Sequence, residues 1–278
     1  VQSVALRLIG DREDEINAFI PQEYWTMEAI LSAPGEKRPV RAKFYGKDKK
    51  MTITSEAQMQ EISGSIKDAQ YLVEDVKRGE RTKKPPLPFT TSTMQQEAAN
   101  VLNFSTQKTM RLAQQLYEGI DIKGNGTVGL ITYLRTDSTR ISEEADAAAR
   151  SFISSQYGES FAGEGGNAGS GNKKIQGAHE AFRPSDRNRT AASIKECLTR
   201  GQYRLYQLIW KRFTASRMAA ARYETTTVKI KAGDYRFTVA ASRVLFEGFM
   251  SVYTDSADAK EENNVLKGNL EKGMELKL

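Results

Sequence analysis

The chain has 278 residues, 39% of them hydrophobic and 27% charged, with a formal net charge of +6. That length favours two or three substructures over one, and the basic balance favours an anionic partner, nucleic acid ahead of a membrane surface. One cysteine and one histidine exclude a disulfide framework and a His/Cys zinc cluster within the chain, and no run approaches the 18 apolar residues of a membrane span.

Residues 1–19 read as a helix, with Val4, Leu8, Ile9, Ile16 and Phe19 at helical spacing and Pro21 as its stop. The N-terminus lacks the features of a signal peptide. It begins without Met inside a helical pattern, so a piece of a longer chain is expected. Tyr24–Leu31 and Pro39–Tyr45 read as a strand pair, Ser55–Ala69 as a helix with Met59, Ile62 and Ile66 on its apolar stripe, and Tyr71–Val76 as a strand. The basic, proline-rich run Lys77–Pro88 reads as a linker, either a solvated connector or a DNA contact.

Helices are expected at Thr93–Leu102, Gln107–Glu118, Ser142–Ser155, Thr190–Leu198 and Gln202–Arg217. A strand is expected at Thr127–Arg135 and a mobile surface loop at Gly158–Gly177. After Tyr223 the period becomes two, with a turn at Ala232-Gly233-Asp234 and further strands at Tyr235–Ala240 and Val244–Tyr253. The class is therefore α+β: a β-rich domain, residues 22–92 and 218–278, interrupted by a helical domain, residues 93–217, and preceded by the helix of residues 1–21.

Three places carry residues suited to chemistry. In Ile131-Thr132-Tyr133-Leu134-Arg135-Thr136-Asp137-Ser138, an extended backbone puts Tyr133 and Arg135 on one face. A phenol ionises near 10 and is a poor nucleophile at neutral pH; an adjacent guanidinium favours the phenolate and grips phosphate through two nitrogens. A packed strand-end tyrosine beside an exposed arginine fits the same spacing. In Ala178-His179-Glu180-Ala181-Phe182-Arg183-Pro184-Ser185, His179 is suited to holding a phosphate or moving a proton, and equally to an idle surface position. Arg7 and Arg12 lie on the first helix among Asp11, Glu13, Asp14 and Glu15, where ordinary ion pairs also account for them.

The runs around Tyr133 and His179 resemble the two signatures of type IA DNA topoisomerases. Val1-Gln2-Ser3-Val4-Ala5-Leu6-Arg7 resembles the opening of that family's central region. Pro88-Phe89-Thr90-Thr91-Ser92-Thr93-Met94-Gln95-Gln96 resembles its entry into the tyrosine domain, and Leu205-Tyr206-Gln207-Leu208-Ile209-Trp210 a later helix. These blocks stand in the family's order. Leu134 and Glu180, where the topoisomerase III branch usually has proline and a second histidine, point to the bacterial topoisomerase I branch.

The resemblance implies a ring-shaped fold, with a β-rich arch carrying the helical tyrosine domain. It implies that Tyr133 attacks one DNA strand to form a 5′-phosphotyrosyl link, relaxing negative supercoils without ATP. Arg135 would stabilise the scissile phosphate, His179 would position it, Arg7 and Arg12 would line the single-strand path, and Arg183 would bind DNA or brace its loop. It further implies a cytoplasmic monomer acting on single-stranded DNA. Mg²⁺ would be held by an N-terminal domain that this sequence does not contain, so no metal is expected here and the chain alone should not relax DNA. A non-enzymatic, basic DNA-binding clamp is the competing reading.

Overall fold

The computed structural model describes residues 2–34, 39–164, 179–186, 188–254 and 270–278. They form two compact units, one of Val1–Arg78, Thr226–Ala241 and Leu266–Leu278, the other of Gly79–Thr225 and Ser242–Val265.

The first unit begins with α1, Gln2–Asn17, which buries no residue. Its helical spacing is as expected, and its apolar residues Val4, Leu8, Ile9 and Ile16 are exposed. Strand β1, Glu28–Leu31, pairs antiparallel with β2, Val40–Gly46, in the register Leu31 to Val40. Ser55 caps helix α2, Glu56–Ile66, which buries Ile62 and Ile66. Strands β3 (Tyr71–Lys83), β6 (Ala221–Ala232), β7 (Tyr235–Phe246) and β8 (Glu275–Leu276) complete a six-stranded sheet of order β1-β2-β7-β6-β3-β8. Its outer strands meet: Ser32 and Lys277 exchange backbone hydrogen bonds of 2.7 and 3.0 Å, so the sheet nearly closes into a barrel. Leu31, Ala42, Ile53, Ile62, Val228, Ile230 and Phe237 fill its interior. On its exposed side, Arg236 forks onto Glu74 at 2.8 and 3.1 Å and also reaches Asp48 at 2.9 Å.

Strand β3 corrects the linker expectation, because it runs through Lys77–Lys83. Those residues are almost all exposed, so no hydrophobic alternation marked them as strand.

The second unit is mainly helical. Helix α3, Thr91–Leu102, opens on a capping box between Thr90 and Thr93 and ends at Asn103, whose φ of 54° is left-handed. Ser105 caps α4, Thr106–Glu118. A short hairpin follows, β4 at Ile120–Ile122 and β5 at Gly126–Val128. Ser142 caps α5, Glu143–Tyr157, and Thr199 with Gln202 boxes the start of α6, Arg200–Ser216. Each such cap is worth about 1 kcal/mol. Met94, Leu116, Leu130, Phe182, Leu205, Tyr206 and Ile209 lie in one core. Arg217, at the end of α6, reaches back to Asp146 of α5 at 2.8 Å, deep in the unit.

Two element expectations fail here. Thr190–Leu198 is a series of turns with a 3₁₀ turn at Lys195–Cys197 rather than an α-helix; Ala191 and Ile194 are buried three residues apart, a spacing that a 3₁₀ turn satisfies as well as an α-helix does. Past Phe246, the expected strand gives way to a 3₁₀ turn at Gly248–Ser251. Gly248 has φ +50°, and a Cβ there would collide with the carbonyl oxygens of Ala219 and Ala220. The glycine-rich stretch Gly158–Gly177 lies outside the described residues from position 165 onward; its start forms a 3₁₀ turn at Glu159–Phe161. No described helix is long and apolar enough to cross a membrane.

Candidate active site

The run holding Tyr133 is not the expected strand, since β5 ends at Val128. Its backbone groups pair sideways instead. Thr132 N–H donates to the Arg183 carbonyl at 3.0 Å, Ser185 N–H to Leu130 at 3.0 Å, and Ala181 N–H to Arg140 at 2.9 Å. The Thr132 hydroxyl adds two bonds, donating to the Ala181 carbonyl at 2.9 Å and accepting from Arg183 N–H at 3.1 Å. A third segment joins them. Phe182 N–H donates to Phe89 at 2.9 Å and Thr91 N–H to Thr136 at 2.8 Å, while the Thr91 hydroxyl accepts from Thr136 N–H at 2.9 Å. Residues far apart in sequence are thus held as one irregular platform.

Alternation survives without the ladder. Leu130, Ile131, Leu134 and Thr136 are buried, while Tyr133, Arg135 and Asp137 are exposed. Apolar burial under the platform therefore turns the Tyr133 phenol outward.

Tyr133 is 40% exposed. Its ring meets two others, Tyr117 of α4 at 5.6 Å with planes 70° apart, and His179 at 5.2 Å with planes 32° apart. Such pairs contribute about 0.5–1.5 kcal/mol each beyond burial, and they limit the swing of the phenol. Its hydroxyl has no hydrogen-bond partner among the described residues. The structure therefore brings Tyr133 and His179 together. Arg135 is exposed and has no ion pair among the described residues, which leaves its donors open to solvent.

Arg183 is committed differently. Its Nε and Nη2 both lie 2.8 Å from Glu180 Oε2, and Nη1 donates to the Pro184 carbonyl at 3.2 Å, so the guanidinium ties together its own loop. Arg7 and Arg12 belong to the first unit, where they pair on the exposed surface of α1 with Asp11 at 2.9 Å and Glu15 at 2.6 Å.

Two other tyrosines show the opposite environment. Burial pushes the Tyr206 phenol far above its usual range, and its hydroxyl donates to the Arg189 carbonyl at 2.7 Å. Burial likewise raises Tyr253, which donates to Glu97 at 2.9 Å. Arg212 donates to the Tyr253 hydroxyl at 3.1 Å and to the Leu87 carbonyl at 2.7 Å, and its guanidinium lies over the Phe89 ring at 4.8 Å. That bracing holds the segment on which Phe182 hangs. Neither phenol is placed to attack anything.

Sequence reasoning missed Tyr117, Thr91 and the role of Thr132. Thr91 and Thr132 stand in recognisable runs, but their partners, like that of Tyr117, lie across the fold, where no local pattern reaches. Among the described residues no group of three His, Cys, Asp or Glu side chains is arranged to hold a metal ion.

A family model described as DNA topoisomerase matches residues 1–278. Among solved structures, full-length topoisomerase I from Thermotoga maritima, in a monoclinic crystal form, matches with a TM-score of 0.77 and 35% identity. The match covers 99% of this chain and 42% of that one, so the chain spans less than half the length of this relative.

Proposed function

The chain belongs to the type IA DNA topoisomerases, in their bacterial branch, and on that premise we propose that Tyr133 is the nucleophile of a DNA strand-passage enzyme. The observation that carries this reading is the outward phenol of Tyr133, stacked on His179 by the pairing of two distant segments. In the proposed step the phenolic oxygen attacks a backbone phosphorus. The Tyr133 O–P bond forms, the P–O3′ bond breaks, and the phenolic proton ends on the departing 3′ oxygen. The 5′-phosphotyrosyl ester keeps the free energy of the phosphodiester, so the 3′ hydroxyl reseals the strand by attacking the same phosphorus, and the cycle needs no ATP.

Arg135, exposed and without an ion pair among the described residues, grips the non-bridging oxygens and stabilises their charge in the transition state. His179, beside the phenol, donates to the same phosphate. Arg183 serves as the brace of that loop. Arg7 and Arg12 exchange Asp11 and Glu15 for phosphates of the single strand, which makes binding salt-sensitive and nearly blind to sequence. We assign the second unit to the family's tyrosine domain and the near-closed sheet of the first to its β-rich arch. The family resemblance assigns Mg²⁺ to the intact enzyme; among the described residues no group of three His, Cys, Asp or Glu side chains gathers to hold it. The chain alone then binds single-stranded DNA weakly and does not relax supercoils.

Tyr133→Phe in the full-length protein tests the assignment. The substitution keeps both ring contacts and removes the nucleophile, so relaxation of negatively supercoiled plasmid is abolished. Relaxation at the normal rate by this variant overturns the proposal.

A further inference from the structure

A pocket of about 380 Å³ lies in the second unit, lined by Phe104, Lys108, Arg200, Gly201 and Arg204. The fold makes it in a definite way. Asn103, left-handed, turns the chain after α3 so that Phe104 is buried beneath the first turn of α4. The first turn of α6 comes alongside: a Cβ on Gly201 would sit 3.2 Å from Leu112, and Gln202 donates to Gln115 at 3.0 Å. The Lys108 ammonium lies 4.1 Å and the Arg204 guanidinium 5.4 Å from the same Phe104 ring centre. They are thus within about 10 Å of each other, a Debye length at 0.1 M salt. Arg200 adds a third positive charge.

No carboxylate lines the pocket, and none of the three cations has an ion pair among the described residues. The ring face steadies Lys108 and Arg204 without accepting a hydrogen bond from all of their N–H donors. Three like charges held together with open donors call for an anion. Forked guanidiniums match the tetrahedral oxygens of a phosphate, and the first turns of two helices add their positive dipole ends. The volume falls at the lower end of the roughly 300–1,000 Å³ that hold small organic ligands, room for a sugar-phosphate rather than a bare ion.

We propose that this pocket is a phosphate-binding subsite that holds the backbone of a single nucleic-acid strand away from the Tyr133 platform. The proposal rests on the strand-cleaving reading for the identity of the strand. Its own content is a second anchor, made by Lys108, Arg200 and Arg204, that fixes the strand by its phosphates and ignores its bases.

The test uses the 278-residue chain and a short fluorescein-labelled oligothymidylate, with anisotropy followed across salt concentrations. Lys108→Gln with Arg204→Gln weakens binding on the order of tenfold at low salt, the scale of one lost charge-assisted contact. It also flattens the plot of log K against log salt by about 0.7 for each phosphate released. Lys123→Gln with Lys272→Gln, a charge-matched pair elsewhere on the surface, changes affinity less than about twofold. Arg200→Gln, an exposed change, gives the same readout at about threefold should the double variant fold poorly. Equal losses in the two double variants overturn the proposal, as does inorganic phosphate that binds the pocket in calorimetry without competing with the oligonucleotide. The result is separable from the chemistry. A phosphotyrosyl adduct with no pocket effect sinks the subsite alone, and a pocket effect with no adduct sinks the strand-cleaving reading alone.

Discussion

Thr132→Val removes the hinge between the two halves of the platform while keeping side-chain shape. Its hydroxyl is both donor to Ala181 and acceptor from Arg183 N–H, and the substitution leaves that carbonyl and that amide without these partners. An unsatisfied buried polar group costs about 1–3 kcal/mol. Thr132 is half-buried, so the lower end applies, and the two together cost about 2 kcal/mol. For a body of this size 1 kcal/mol moves the melting temperature by roughly 2–4 °C, which predicts a loss of roughly 4–8 °C. Function suffers more, because the same bonds seat His179 against Tyr133. A misplacement of about 1 Å is enough for roughly a hundredfold loss of rate. Calorimetry on the chain and plasmid relaxation by the full-length protein measure the two effects, and Thr132→Ser restores both. A Thr132→Val protein with unchanged melting and unchanged relaxation refutes the claim that this hydroxyl positions the site.

His179→Ala in the full-length protein slows strand cleavage on the order of a hundredfold, read by adduct formation over time, while oligonucleotide affinity changes little. Asp146→Ala removes the carboxylate that pairs with the buried Arg217 guanidinium and destabilises the helical unit by about 3 kcal/mol, measured by denaturant melts that follow tryptophan fluorescence, since Trp210 lies in that unit. The Arg236 hydrogen bond and charge hold the Glu74 carboxyl below its usual range. The stabilisation is therefore present above the unfolded carboxyl value, near ~4.3, and is lost as pH falls through the lowered folded one. Glu74→Gln flattens that acid limb in thermal melts taken from neutral pH downward, and an unchanged limb contradicts the coupling.

Helices α2, α3, α4 and α6 were legible from their helical pattern alone. In α6, for example, Leu205, Tyr206, Ile209 and Phe213 recur at that spacing, while its Thr199 cap became visible only in the structure. β6 was legible from Val228, Ile230 and Ala232, which alternate into a core. What failed did so where pairing, not patterning, decides. The outer half of β3 presents Lys77, Arg78, Glu80 and Arg81 to solvent, and only the neighbouring strand makes it a strand. The run at Tyr133 looks like a strand because its burial alternates, yet its hydrogen bonds go to residues 181–185 and to Thr91. The proposed site residues, Tyr133, Arg135 and His179, are nameable from their runs. Tyr117 and the bracing by Arg212 were not, since both depend on contacts made only after the chain has folded.

The most direct test of the central claim is to find the covalent bond itself. The full-length protein is denatured during reaction with single-stranded DNA and digested, and the peptides are sequenced by mass spectrometry. The account predicts a 5′-linked nucleotide phosphate on Tyr133. An adduct on any other residue, or relaxation that proceeds with no adduct at all, contradicts it.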